Sequence, residues 1–218
     1  MTYVAYGFEG SLEKFNSIKE QTNFGDKDIM YILGDLACGE GAAELICELS
    51  MMMNVYPIFG KKDFLALKLL SGFDKMLREG MTPDAEYIEQ MKFWAANGGQ
   101  AVLDGFRGLD EDMREGVLDY LGELMLYDEV TVGGKTYFML NGGISGFNKE
   151  TDPEEYEPAD FAAAKLDMNK EYYSDKMMIT ANAEQGVYDK ITQRKNNICI
   201  GCERCACLRL EDGETFYA

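Results

Sequence analysis

The chain has 218 residues, 39 acidic against 21 basic side chains, no histidine, and a formal net charge of −18 at neutral pH. Hydrophobic residues make up 46% of it, enough for the core of one domain over 1–218. The acidic side chains are spread along the chain, so long-range repulsion argues against nucleic acid, anionic membranes and polyphosphates as partners. The absence of histidine excludes imidazole as base, nucleophile or metal ligand.

No apolar run approaches the length of a membrane span, and the opening Met1-Thr2-Tyr3-Val4-Ala5-Tyr6 lacks a basic segment followed by an apolar stretch. A cytoplasmic location is expected, with the six cysteines reduced. Tyr3 to Tyr6 is short and β-prone, Gly7 and Gly10 bracket a turn, and Leu12, Phe15 and Ile18 recur at helical spacing. The unit repeats. Ile29 to Leu33 ends in Gly34-Asp35 ahead of a helix over Ala42–Met53, and Val55 to Phe59 ends at Gly60 ahead of a helix through Phe64, Leu67, Leu70, Phe73 and Leu77. Strands alternating with helices predict an α/β sheet with its loops gathered at the strand ends.

From about 72 to 125 the pattern is helical, with Thr82-Pro83 as a start and Tyr87, Met91 and Trp94 on one face; this is read as a helical insert. Asn97-Gly98-Gly99-Gln100 within it is either a helix-to-helix turn or a backbone approach to phosphate. Glu129–Val132, Gly133-Gly134 and Lys135–Leu140 spell a β-hairpin, and Leu208–Leu210, Asp212-Gly213 and Thr215–Tyr217 spell another. The stretch Thr151–Glu157 is an acidic loop. Met51-Met52-Met53 is expected to fill core gaps at a helix end.

The order of these pieces resembles the calcineurin-like metallophosphoesterases, in particular the bacterial Ser/Thr protein phosphatase and diadenosine tetraphosphatase branch. The residues that carry it are Tyr31-Ile32-Leu33-Gly34-Asp35, Pro57-Ile58-Phe59-Gly60, Asn97 to Gln100 with Leu103 and Phe106, and Cys207 to Gly213. The resemblance implies a four-layer α-β-β-α sandwich of two mixed sheets, with two metal ions at the strand ends that activate a water and clamp a phosphate. It also implies that the ligands are largely gone. The first motif's aspartate and histidine fall on Gly7 and Glu9. In the second, Asp35 is kept at the metal-bridging position, while Cys38 and Gly39 replace an aspartate and a phosphate-binding arginine. In the third, Lys61 and Lys62 replace an amide ligand and the general-acid histidine. Asn141 and Asn182 stand for two further histidines.

Loss at every motif implies a catalytically degenerate homologue, a binding or regulatory module for a protein or small-molecule ligand, with no cofactor expected. The alternative is an active phosphoesterase acting on a phosphoprotein or nucleotide. It would use Mg, Mn or Ca on oxygen ligands at Glu9, Asp35, Asn141 and Asn182. A lysine head from Lys61 or Lys62 would neutralise Asp35, or both lysines would be solvated at a helix start. Cys199, Cys202, Cys205 and Cys207 have spacings that suit zinc or an iron–sulfur cluster if the strand is broken; otherwise they alternate along a hairpin.

Overall fold

A computed structural model describes all residues, Met1 to Ala218. The chain runs β1 (Thr2–Tyr6), α1 (Leu12–Thr22), β2 (Ile29–Ile32), α2 (Ala42–Ser50), β3 (Val55–Pro57) and α3 (Lys61–Glu79). Helices α4 (Ala85–Trp94), α5 (Gln100–Arg107) and α6 (Glu111–Gly122) follow, then β4 (Tyr127–Val132), β5 (Lys135–Leu140), α7 (Pro158–Ala163) and β6 (Lys176–Thr180). The last elements are β7 (Thr192–Arg194), β8 (Asn197–Cys199), β9 (Ala206–Arg209) and β10 (Thr215–Tyr217). No helix is long and apolar enough to cross a membrane.

The strands form two five-stranded mixed sheets, ordered β10-β9-β1-β2-β3 and β4-β5-β6-β8-β7. In the first, β1, β2 and β3 are parallel and β9 and β10 are antiparallel neighbours. Both faces of β1 are buried, as parallel strands require. Tyr3 and Ala5 enter a 24-residue core under the helices, whereas Val4 joins Tyr31, Leu33, Tyr137, Met139 and Ile179 in a 13-residue core between the sheets. A third core of 10 residues lies beyond the second sheet. Its cover is slight: the six-residue α7 and loops rich in aromatic side chains. The layers are therefore helices, sheet, sheet, and a thin helix-and-loop layer.

Local chemistry sets the element ends. The Ser11 hydroxyl accepts the Lys14 N–H and caps α1, which buries Phe15 and Ile18 and stops at Asn23 in the left-handed region (φ 51). Gly133 and Gly134 (φ 58 and 80) make the two-residue turn that joins β4 to β5. β3 closes at Pro57, which has no N–H to give; the chain continues through Ile58, which bridges to Met125.

Three expectations change in detail. α2 ends at Ser50, before the methionine run, in which Met52 packs against the core as expected while Met51 and Met53 are exposed. α3 passes through position 72 without a break. The helices after it put Trp94, Val102, Phe106, Val117 and Leu121 into the same core as β1. The Asn97–Gln100 stretch is a packed turn: Asn97 donates its side-chain amide to the Phe93 carbonyl, and a Cβ on Gly99 would lie 2.2 Å from the Trp94 ring.

Candidate functional site

The loops after β1, β2, β3, β5 and β6 gather at one end of the sandwich, as parallel strands force them to. Asp35 stands at their centre, buried and with a positive φ of 57. A non-glycine residue in this conformation needs its surroundings to hold it. Asp63, wholly buried in the first turn of α3, does so. It accepts the N–H groups of Asp35 and Ala37 at 2.8 Å each and that of Gly60 at 2.9 Å. Burial and the neighbouring Asp35 charge push the Asp63 carboxyl up to about 7. Gly60 has no room for a side chain, since a Cβ there would lie 2.6 Å from the Asp35 carboxylate.

The Asp35 carboxylate is held on both oxygens. The Tyr6 phenol donates to Oδ2 at 2.7 Å and the Lys62 backbone N–H donates to Oδ1 at 3.1 Å. Burial, then the Asp35 carboxylate itself, push the Tyr6 phenol far above its ordinary pKa, so it remains a donor. Of the two readings left open for the lysines, a head paired with Asp35 is not what the structure has. Neither Lys61 nor Lys62 forms an ion pair, and the Lys62 ammonium turns to the Cys38 sulfur, 3.8 Å away. The reason is the helix start: the Lys62 amide faces Asp35, which sends the side chain outward.

Asn141 and Asn182 act as a pair. Asn141, at the mouth of β5, donates Nδ2 to the Leu33 carbonyl at 2.5 Å, tying the second sheet to the first. Its Oδ1 accepts the Asn182 Nδ2 at 3.0 Å. Glu9 points away, paired with Lys14 at 3.0 Å on the surface. Cys38 donates its thiol to the Asp35 carbonyl, and burial pushes that thiol up to about 12. Gly39 (φ 83) packs against the first loop so closely that a Cβ would sit 2.2 Å from the Glu9 carbonyl. Gly7 (φ 94) faces Cys205, with 3.1 Å for a Cβ.

Asp35, Lys61, Lys62, Asn141 and Asn182 thus share one cavity of ≈ 150 Å³, closed on the other side by Ala162–Lys165. Gly7, Glu9 and Tyr6 line a neighbouring cavity of ≈ 200 Å³ that shares Lys165 and Asn182 with it. Cys38 and Gly39 lie behind the loop, outside both. Tyr6 and Asp63 are the functional positions that the sequence reading passed over. An acidic residue at the third position of a helix is the signal for Asp63; for Tyr6 it is a phenol at the strand end beside the strand that carries Asp35.

This donor set does not fit a pair of metal ions. Both Asp35 oxygens and the Asn141 oxygen are engaged, the Cys38 thiol is protonated near neutral pH, and no three Cys, Asp or Glu side chains converge anywhere in the chain. The C-terminal cysteines do not gather either. Cys199 ends β8 and faces the outer core of the second sheet, Cys205 and Cys207 at β9 face the outer core of the first with both sheets between them, and Cys202 packs against the middle core. Burial pushes the Cys199, Cys205 and Cys207 thiols up, Cys199 to about 11 and Cys205 to about 12.

The fold has known counterparts. A provisionally named diadenosine tetraphosphatase matches at a TM-score of 0.62, covering 100% of this chain and 92% of its own, at 10% identity. The chain has a metallophosphoesterase-like fold. The hypothetical protein PH1004 from Pyrococcus horikoshii OT3 matches at a TM-score of 0.54, with 18% identity over 100% of this chain and 87% of that one. No family model and no curated protein matches the sequence. At such identities the likeness concerns the fold alone.

Proposed function

We propose that this protein is a non-hydrolysing member of the phosphatase fold, a binding or regulatory module whose ligand or protein partner is engaged at the strand-end cavity, in the cytosol. The observation that carries this reading is the state of Asp35. The residue that the resemblance assigns to bridging two metals is capped by a phenol on one oxygen and a backbone N–H on the other. Without metals the site supplies neither a hydroxide nor the charge that stabilises a transferring phosphoryl group. The ammonium groups of Lys61 and Lys62 on the same wall would repel incoming cations.

A second reading, a phosphoesterase of the Ser/Thr phosphatase or diadenosine tetraphosphatase branch working with Mg, Mn or Ca, draws on one fact: Asp35 and Asn182 face the same cavity. Hydrolysis of an aryl phosphate ester with added manganese or magnesium, together with the metal content of the purified protein, separates the two. The module reading expects background rates and no stoichiometric metal. Turnover abolished by Asp35→Asn would overturn it.

A further inference from the structure

Leu77, Met81 and Ile88 are exposed to 52%, 51% and 37%, and all three line one groove of ≈ 440 Å³. It runs between the end of α3, the turn after it and α4, with Met76, Met91 and Leu103 as further walls. Single exposed apolar side chains are ordinary, but a set that converges on a concave surface marks a binding face. The groove lies about 20 Å along α3 from Lys62 and the strand-end cavity. The one charged side chain on its wall, Lys92, is paired with Glu89 at 3.1 Å. From Phe73 to Glu123 twelve carboxylates stand against five cations, of which Arg78 and Arg114 are engaged by the buried Asp74. α6 runs back along α3, with Arg114 on Asp74 and Tyr120 near Asp63. Its acidic start, Asp110, Glu111 and Asp112, therefore stands at the end of α3 where the groove opens.

We propose that this groove docks one amphipathic helix of a partner protein, apolar on the inserted face and rich in lysine or arginine beside it. The shape of the walls selects a helix. They are mostly helical, so their backbone groups bond within themselves, and an extended peptide would find no sheet edge to join. A helix satisfies its own backbone and sets a ridge of side chains into the space between two others. The charge selects a basic flank, because the surrounding carboxylates outnumber the cations and draw a cationic partner toward the groove. A second copy of this chain carries the same acidic surface and would be repelled. Met76, Met81 and Met91 are unbranched and polarizable, which lets the groove adjust to the inserted side chains.

Fluorescence anisotropy of the full chain with a labelled leucine-lysine peptide, patterned for one apolar helix face, tests the proposal. Saturable one-to-one binding is expected, weaker at higher salt, with none for the leucine-glutamate counterpart. Ile88→Ser and Met81→Ser should each weaken it about tenfold, the scale of a central interface side chain. Met53→Ser, exposed after α2 and outside the groove, should leave it unchanged. Circular dichroism should show each variant folded. Met81 lies in the exposed turn between α3 and α4, so its variant keeps the test if Ile88→Ser loosens α4. No binding of the lysine peptide, equal binding of both peptides, or binding indifferent to the groove substitutions would overturn the proposal. So would dimerisation in light scattering that Met81→Ser abolishes, since a second copy would then be the occupant. The groove is separate from the strand-end cavity, so its failure leaves the module reading standing, and turnover of an aryl phosphate would leave peptide binding unaffected.

Discussion

The two outer layers of the sandwich are held together by different means. Over the first sheet, long helices bury a 24-residue core, and the buried Asp74 is pinned by Arg78 at 2.8 Å and Arg114 at 2.7 Å. Over the second sheet, a 10-residue core is closed by flat aromatic contacts: Tyr127 stacks on Phe138 at 4.9 Å and on Phe161 at 5.8 Å, and Lys170 sits over Tyr172 at 4.9 Å. Periodic helices share one large interior and should open together, whereas loops stapled by aromatic pairs can open locally. The cavity lies on the seam. One wall is the start of α3, from the firm layer, and the other is Ala162–Lys165, from the slight one.

Substitutions on the two sides sharpen the contrast. Phe106→Ala in the helical core should cost about 3–5 kcal/mol and lower the midpoint of global chemical unfolding. Arg114→Met leaves Asp74 with only the half-exposed Arg78, and a loss of about 3 kcal/mol is expected from the same measurement. Phe161→Ala should act mainly on its own layer. Hydrogen exchange should show faster opening of 144–173, with the amides of β1 and α1 hardly changed. Uniform acceleration over both layers would erase the distinction.

At the seam the expected effects are smaller. Asp63→Asn turns an N–H toward backbone donors and should cost about 1–3 kcal/mol. The pH dependence of this effect has a definite sign. The folded-state pKa of Asp63 is raised, to about 7, from an ordinary value near 4. The folded state therefore binds more protons than the unfolded one between those values, and the contribution of Asp63 is fully present below about pH 4 and lost as pH rises through about 7. The stability gap between wild type and Asp63→Asn should narrow over that range. Tyr6→Phe removes one hydrogen bond and should cost about 1 kcal/mol; a change near zero in thermal melting would mean that the phenol does not restrain Asp35.

How much of this could be read from residues alone follows physical lines. The β-α repeats and both glycine-marked hairpins were legible, because burial on alternate strand faces and on one helix stripe leaves periods of 2 and 3.6 in the sequence. That Gly7, Lys62, Asn141 and Asn182 differ from the residues the resemblance implies was legible as a comparison of motifs. What replaced them was not. Whether Lys62 offers Asp35 its ammonium or its amide depends on the rotation of the first turn of α3, and spacing carries no trace of that. The reach of Tyr6 toward Asp35 depends on the registry of two parallel strands, with Ala5 beside Ile32. The cysteines misled for a different reason: Cys199 ends β8 in the second sheet, whereas Cys205 and Cys207, two residues apart and on one face, belong to the first.

The contact between the first and second loops bears on engineering. With the backbone at Gly39 pressed onto the Glu9 carbonyl and Gly10 onto the Cys38 carbonyl, these two turns interlock like the teeth of a zip. A guanidinium cannot be added at 39 by exchanging one residue, since the first carbon of the new side chain has no place to go. Placing a larger side chain at either turn would mean replacing 7–10 and 38–41 together, as one cassette.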